Sequence, residues 1–256
     1  MRVLRTVAIL AANSWQENLR SRFFLLSAVF GGVFLYVSLL LGVLAVDQEL
    51  RVLLDFGLGF IELLGLSGAL YGATTVILRE MESKTITLIL TRPVGRGPYL
   101  LGRFAGLLFS LLVSMGLMSA VHLSILFWKG WAWSWDYPWA LCGAFLKVLV
   151  TAALGTFVAL FSSSAPTALT IAGTLWTLGH FLPEIRFMIP WGSPWGIPLH
   201  LASCVIPDLQ LFNLRDRAWA GSAQAEPAVL IWLLYALVYS SVWLFLARQL
   251  LRRKEF

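Results

Sequence analysis

The chain has 256 residues, of which 59% are hydrophobic and 12% charged, and its mean hydropathy is +0.81. Soluble domains carry roughly a quarter charged residues and disordered chains need low hydrophobicity, so both classes are excluded and lipid is the expected solvent. The basic excess, 19 Lys and Arg against 13 Asp and Glu, reads in such a chain as loop charge that sets orientation, with no nucleic-acid partner implied.

Residues 1–22 come first. Leu4, Ala8, Ala11, Trp15 and Leu19 recur at helical spacing, with Arg5, Asn13, Glu17 and Arg20 off that stripe. This pattern predicts an amphipathic helix lying in the membrane interface, apolar face down. No small-x-small cleavage site follows the short apolar run, so a cleaved signal peptide is not expected.

About 20 apolar residues are needed to cross the hydrocarbon core. That length predicts six spans: Phe23–Val46, Phe56–Leu78, Phe104–Trp128, Trp139–Phe161, the short Thr167–Leu182, and Ala228–Ala247. Asp47–Asp55 and Ser162–Pro166 read as short connections, Arg79–Arg103 as a polar basic loop, and Pro183–Pro227 as a long segment on the far side. The whole, 1–256, is then a single all-α transmembrane domain with both termini on one side.

Charge gives an independent check. The side of the termini collects Arg2, Arg5, Arg20, Arg22, Arg79, Lys84, Arg92, Arg96, Arg103, Arg248, Arg252, Arg253 and Lys254; the other side has only Arg51, Lys129, Arg186, Arg215 and Arg217. The positive-inside rule places both termini in the cytoplasm. Trp128, Trp131, Trp133, Trp135, Trp139, Trp191, Trp195, Trp219 and Trp232 fall at the opposite face, as an interfacial belt.

Motifs for chemistry are missing. The sequence holds no phosphate loop, no dinucleotide fingerprint with its ribose acid, no nucleophile elbow and no H-E-x-x-H. An enzyme is not expected, nor a metal site: Cys142 and Cys204 are too few and too far apart in sequence, and His122, His180 and His200 are scattered. Whether the two cysteines bond across the far side is open, two buried free thiols being the commoner outcome.

Three titratable residues fall inside spans. Glu62 and His122 each lie about six residues, ~9 Å, from the far-side ends of their spans, and Lys147 about eight residues, ~12 Å. Charges in lipid face the bundle interior or snorkel outward. One reading pairs Glu62 with Lys147 near His122 as a pathway or gate; the other lets each reach the interface alone.

The segment Arg79-Glu80-Met81-Glu82-Ser83-Lys84-Thr85-Ile86-Thr87-Leu88-Ile89-Leu90-Thr91-Arg92-Pro93-Val94-Gly95-Arg96 reads as a short amphipathic helix ended by Pro93 and Gly95. Such an element protruding from a membrane protein suits docking of a soluble partner, with a solvated orienting loop as the alternative. Followed by Tyr99-Leu100-Leu101-Gly102-Arg103, its wording resembles the permease subunits of the ABC type-2 transporter family. Their pattern runs E-x-E-x-G-T and an apolar stretch, then L-x-S-R-P-V-S-R, then Y, two apolar residues and G-K. Here Ser83-Lys84 replaces x-Gly, and Thr91, Gly95 and Arg103 replace Ser, Ser and Lys. Weaker echoes are Glu17–Phe23 and Ile206-Pro207-Asp208-Leu209 with Phe212-Asn213.

The resemblance implies a multi-pass half-transporter of the bacterial inner membrane that dimerises with itself or a similar permease. Two separate ABC ATPase subunits would bind ATP and Mg, this chain having no cofactor of its own. Arg79, Glu80, Glu82, Lys84, Thr85, Leu88, Leu90, Arg92, Pro93 and Arg96 would form the coupling helix that docks on the ATPase, with Ser162–Pro166 a smaller contact. The nearest branch is the one that includes the permease of nitrous-oxide-reductase maturation. Export of an unidentified substrate is the implied function; a scaffold or force-transmitter for a periplasmic partner, and an intramembrane enzyme using His122 or His180, are the rivals.

Overall fold

In the computed structural model residues 2–44, 48–84, 86, 95–188, 196–197, 205–215 and 226–254 are described. All regular structure among them is helical. The order is α1 (Arg2–Leu19), α2 (Arg22–Leu44), α3 (Glu49–Glu82), α4 (Arg96–Trp128), α5 (Asp136–Phe161), α6 (Ala165–His180), α7 (Leu182–Met188), a 3₁₀ turn (Gln210–Phe212) and α8 (Glu226–Arg253).

Four helices among the described residues are long and apolar enough to cross a membrane: α3, α4, α5 and, within α8, Leu230–Arg253. The count of six was an expectation from hydropathy. At the first predicted span a helix of 23 residues runs from Arg22 to Leu44, and α6, at the fifth, has 16 residues, short of the usual spanning length. Helix ends also differ from the hydropathy edges. Glu49–Asp55 is the first part of α3 and not a loop, and both flanks of the polar segment are helical, to Glu82 and from Arg96. Hydropathy marks where lipid should end, whereas the backbone ladder continues wherever nothing breaks it.

The bundle is organised around α5, whose apolar window is 83% buried against 22% for that of α8. Its most extensive contact is with α3, followed by α8 and α6. Small residues allow this closeness: Ala69 and Ala73 of α3 meet Ala152, Ala153 and Gly155 of α5. Without a hydrophobic drive between helices in lipid, van der Waals contact of near backbones carries the association. From α4, Leu107, Leu111 and Met115 complete this core.

Helix α1 packs along α4, not free of the bundle. A Cβ at Gly102 would meet Leu10, and one at Gly106 would meet Ser14 and the Ala11 carbonyl, so the glycines set the distance of approach. Asn18 donates to Ser110 Oγ at 3.3 Å, and Trp15 meets Phe109 edge-on at 5.1 Å. The buried face of α1 therefore carries Ser14 and Asn18, while Leu4, Ile9 and Leu19 stay exposed.

Two ends of the bundle can be named by their residues. At the Glu82 end, Ile77, Ile86, Tyr99, Leu100, Leu160, Ala247 and Leu251 form one apolar cluster. At the Trp128 end, Trp128, Trp133, Trp135 and Trp139 are exposed and Trp131 is half-buried. Trp232 departs from the expected belt: it is 5% exposed and packs with Leu209, Phe212 and Leu214. Trp191, Trp195 and Trp219 lie outside the described residues. The stretch Val205–Arg215, expected as part of a loop, inserts between helices. The Leu209 amide donates to the Gly179 carbonyl at 3.1 Å, and a Cβ at Gly143 would meet the Phe212 carbonyl.

Candidate functional site

The residues singled out in sequence fall into two groups at different levels of the bundle. At the Glu82 end, α3 continues past its last apolar turn and closes on Ser83, whose amide donates to the Arg79 carbonyl at 2.9 Å. Lys84 follows with φ of +54°, the left-handed region. This is the position where the resembling family has glycine, and lysine adopts the conformation that glycine takes there without steric cost. Glu82, Ser83 and Lys84 are exposed.

Glu80 does not share that exposure. It is 7% exposed, receives the Tyr99 hydroxyl and pairs with Arg103. Arg103 also reaches Glu17 of α1 at 2.6 Å. The placement of Glu80 on a docking surface is corrected accordingly: its carboxylate joins α3 to α4, and through Arg103 to α1. Burying a carboxylate in an apolar bundle is tolerable only with such partners. Arg79 faces the other way, donating to the Tyr71 hydroxyl at 2.7 Å.

Arg96 is likewise engaged within the chain. Its guanidinium donates to the carbonyls of Leu251 at 2.8 Å and Arg252 at 2.7 Å, closing the C-terminal end of α8. Those carbonyls have no partner inside their helix, and a cation suits the negative end of its dipole. Thr85, Leu88, Leu90, Arg92 and Pro93 lie outside the described residues, while Ile86 is fully buried.

The second group is deeper. Lys147 of α5 donates to Glu62 of α3 at 2.6 Å, with side-chain exposures of 2% and 17%. Because α3 begins at Glu49 and α5 at Asp136, the pair lies roughly 16–20 Å along each helix, further in than the hydropathy edges indicated. His180 lies within the electrostatic reach of Lys147 and Glu62, and also of Glu184 and Arg215.

His122 does not join this pair. Its Nε2 donates to the Leu53 carbonyl at 3.2 Å, and Nδ1 meets the Tyr137 hydroxyl at 3.1 Å. Ser119 Oγ lies 3.1 Å from the same hydroxyl. The ring occupies the space that a side chain at Gly57 would take, five residues or ~7.5 Å nearer the Trp128 end than Glu62. The shared depth inferred from span ends is therefore corrected. His122 ties α3, α4 and α5 together, with both ring nitrogens in hydrogen bonds.

Sequence reasoning missed Tyr99, Arg103, Tyr137 and Arg215 as partners. Tyr99 and Arg103 were present in the quoted motif, but their acceptor, Glu80, lies on another helix. Asp208, quoted for a weak motif echo, has its backbone amide bonded to the Tyr235 hydroxyl at 3.0 Å and its carboxylate 3.5 Å from Arg186. Burial raises that carboxyl above its ordinary pKa, with Arg186 opposing the shift. Cys142 is a free thiol, and Cys204 and His200 lie outside the described residues.

Among the described residues, two of the cavities that flank α3 bear on the site. One, of about 900 Å³, opens at the Glu82 end and is lined by Glu17, Asn18, Tyr71, Thr75, Arg79 and Arg103. The other, of about 460 Å³, lies towards the Trp128 end beside Phe60 and Leu63. An i, i+4 ridge of Leu63, Ser67, Tyr71, Thr75 and Arg79 runs from one to the other. Among the described residues there is no grouping of three His, Cys, Asp or Glu side chains able to hold a metal.

No curated protein matches the chain. The family model described as ABC-2 family transporter protein matches residues 3–190 of the 256, from α1 beyond α7. Such a domain is a transport component and not itself catalytic, and its family pairs in general with an ABC ATPase. With most of its length matched and several helices fit to span lipid, the chain belongs to the ABC-2 family of transporter proteins, as a multi-pass membrane permease component.

Proposed function

We propose that this chain is the half-transporter of an exporter driven by ATP hydrolysis on two separate ATPase subunits. It works as a dimer in the bacterial inner membrane, with six spans, both termini cytoplasmic, and α1 at the cytoplasmic interface. The carrying observation is the anchoring of the segment between α3 and α4. Glu80, Tyr99 and Arg103 fasten its flanks to each other and to α1, and Arg96 fastens its exit to α8. A force applied to this segment reaches four helices, as coupling to a soluble motor demands.

On this reading the exposed residues Arg79, Glu82 and Lys84 face the ATPase, while Glu80 and Arg96 fasten the flanks of the segment. The cytoplasmic cavity opens the path, and Glu62 with Lys147, paired between α3 and α5, is its closed gate. The branch of nitrous-oxide-reductase maturation is supported by the quoted loop wording.

The second reading, a force-transmitter for a periplasmic partner, draws support from Val205–Arg215. With Leu209 and Phe212 each 1% exposed, this stretch would carry bundle motions to the far surface. An intramembrane enzyme finds no support at His122, whose ring is held on both sides.

The test reverses the exposed charges, Glu82→Lys with Lys84→Glu, leaving Glu80 in place. Membrane insertion should be normal, and copurification of the ATPase should fall at least ten-fold. ATPase retained at full stoichiometry would remove the docking assignment.

A further inference from the structure

The cleft towards the Trp128 end has a composition that the transport reading does not use. Arg51 and Asp55 come from α3, and Arg215 enters from the stretch after the 3₁₀ turn. Its guanidinium donates to the Asp55 carbonyl at 3.2 Å and lies across Gly59, where any Cβ would stand 2.7 Å from it. Gly59 thus makes the room that lets an arginine from a distant part of the chain cross α3. One wall is apolar: Phe56, Phe60 and Leu63 follow at i, i+4 and i+7, a strip about 10 Å long pointing into the bundle's depth. Phe56 and Leu63 are 46% and 48% exposed, so the strip is open on the outside of the bundle.

We infer that this cleft binds a singly anionic phospholipid of the surrounding bilayer. Among the described lining residues two guanidinium groups stand against one carboxylate, an excess of one positive charge. That excess favours a phosphodiester headgroup of net charge −1 over a zwitterionic one. Guanidinium groups donate in pairs to phosphate oxygens. The first part of an acyl chain lies along Phe56, Phe60 and Leu63 without leaving the membrane. The volume of about 460 Å³ is within the range of ligand sites and holds a headgroup with the chain's beginning. The inference stands on this cleft alone and does not need the chain to export anything.

The experiment titrates the purified full-length protein in neutral detergent with phosphatidylglycerol, phosphatidylcholine and chain-free glycerophosphoglycerol, reading bound lipid by native mass spectrometry. Phosphatidylglycerol should bind at least ten-fold more tightly than phosphatidylcholine, and glycerophosphoglycerol should not displace it at the same concentration. Gly59→Leu should abolish the preference. Arg51→Gln, which removes one guanidinium at an exposed position, should reduce it at least five-fold. Equal binding of the two lipids, or a preference unchanged in Arg51→Gln, overturns the site. Displacement by glycerophosphoglycerol overturns the lipid and makes the cleft a site for soluble anions. Since no step involves ATPase binding or transport, these outcomes are separate from those that test coupling.

Discussion

Glu62→Met should destabilise the bundle more than Lys147→Met, and the double substitution should be more stable than either. The asymmetry follows from the side chains: Lys147 is 2% exposed and Glu62 17%. Removing the carboxylate leaves an ammonium with almost no access to polar surroundings, at a cost near the ~3–5 kcal/mol typical of broken buried pairs. Removing the ammonium leaves a carboxylate with more access, for which about 2–3 kcal/mol is expected. Two methionines of similar bulk replace the pair by apolar contact, an exchange often close to neutral. With the double variant near neutral, the double-mutant cycle should give a coupling energy as large as the two single losses together, about 5–8 kcal/mol. Graded SDS unfolding in mixed micelles provides the four free energies. Single losses that add in the double variant to within ~0.5 kcal/mol would refute the pairing as an energetic unit. A double variant with restored stability but no transport-linked ATPase activity would assign the pair to the gate.

Lys84→Gly should raise stability by up to about 1 kcal/mol, since lysine at φ +54° carries a steric cost that glycine lacks; a lowered thermal midpoint would contradict this. Single cysteines placed at Trp133 and Gly97 test orientation with a membrane-impermeant maleimide. Label should enter from outside at position 133 and not at 97, and outside labelling at 97 would invert the proposed topology.

The candidate sites were legible to unequal degrees. Lys147 and Glu62 stood out because charge in an apolar run is costly and needs a reason. Their partnership was one of two readings until α3 and α5 were seen to approach through Ala69, Ala73, Ala152 and Ala153. Counted from the hydropathy edges, His122 shares their depth. The actual register of α3, with Gly57 under the ring, separates them. Glu80 and Glu82 look alike in sequence, two residues apart on one helix, yet one faces Tyr99 and Arg103 and the other the exterior.

What the sequence determined by itself was the solvent, the helical class, and the family wording of the segment from Glu80 to Arg103. These depend on composition, on runs of apolar residues and on local spacing, all of which are read along one chain. The tertiary structure alone decided which face of each helix is covered. It folded Val205–Arg215 into the bundle, buried Trp232 beneath it, and set Arg96 on the end of α8. The reason is physical: in an almost uniformly apolar helix every face suits lipid, so hydrophobicity carries no information on which face packs. Close approach of small residues and the pairing of the few polar groups make that choice, and both depend on residues far apart in sequence.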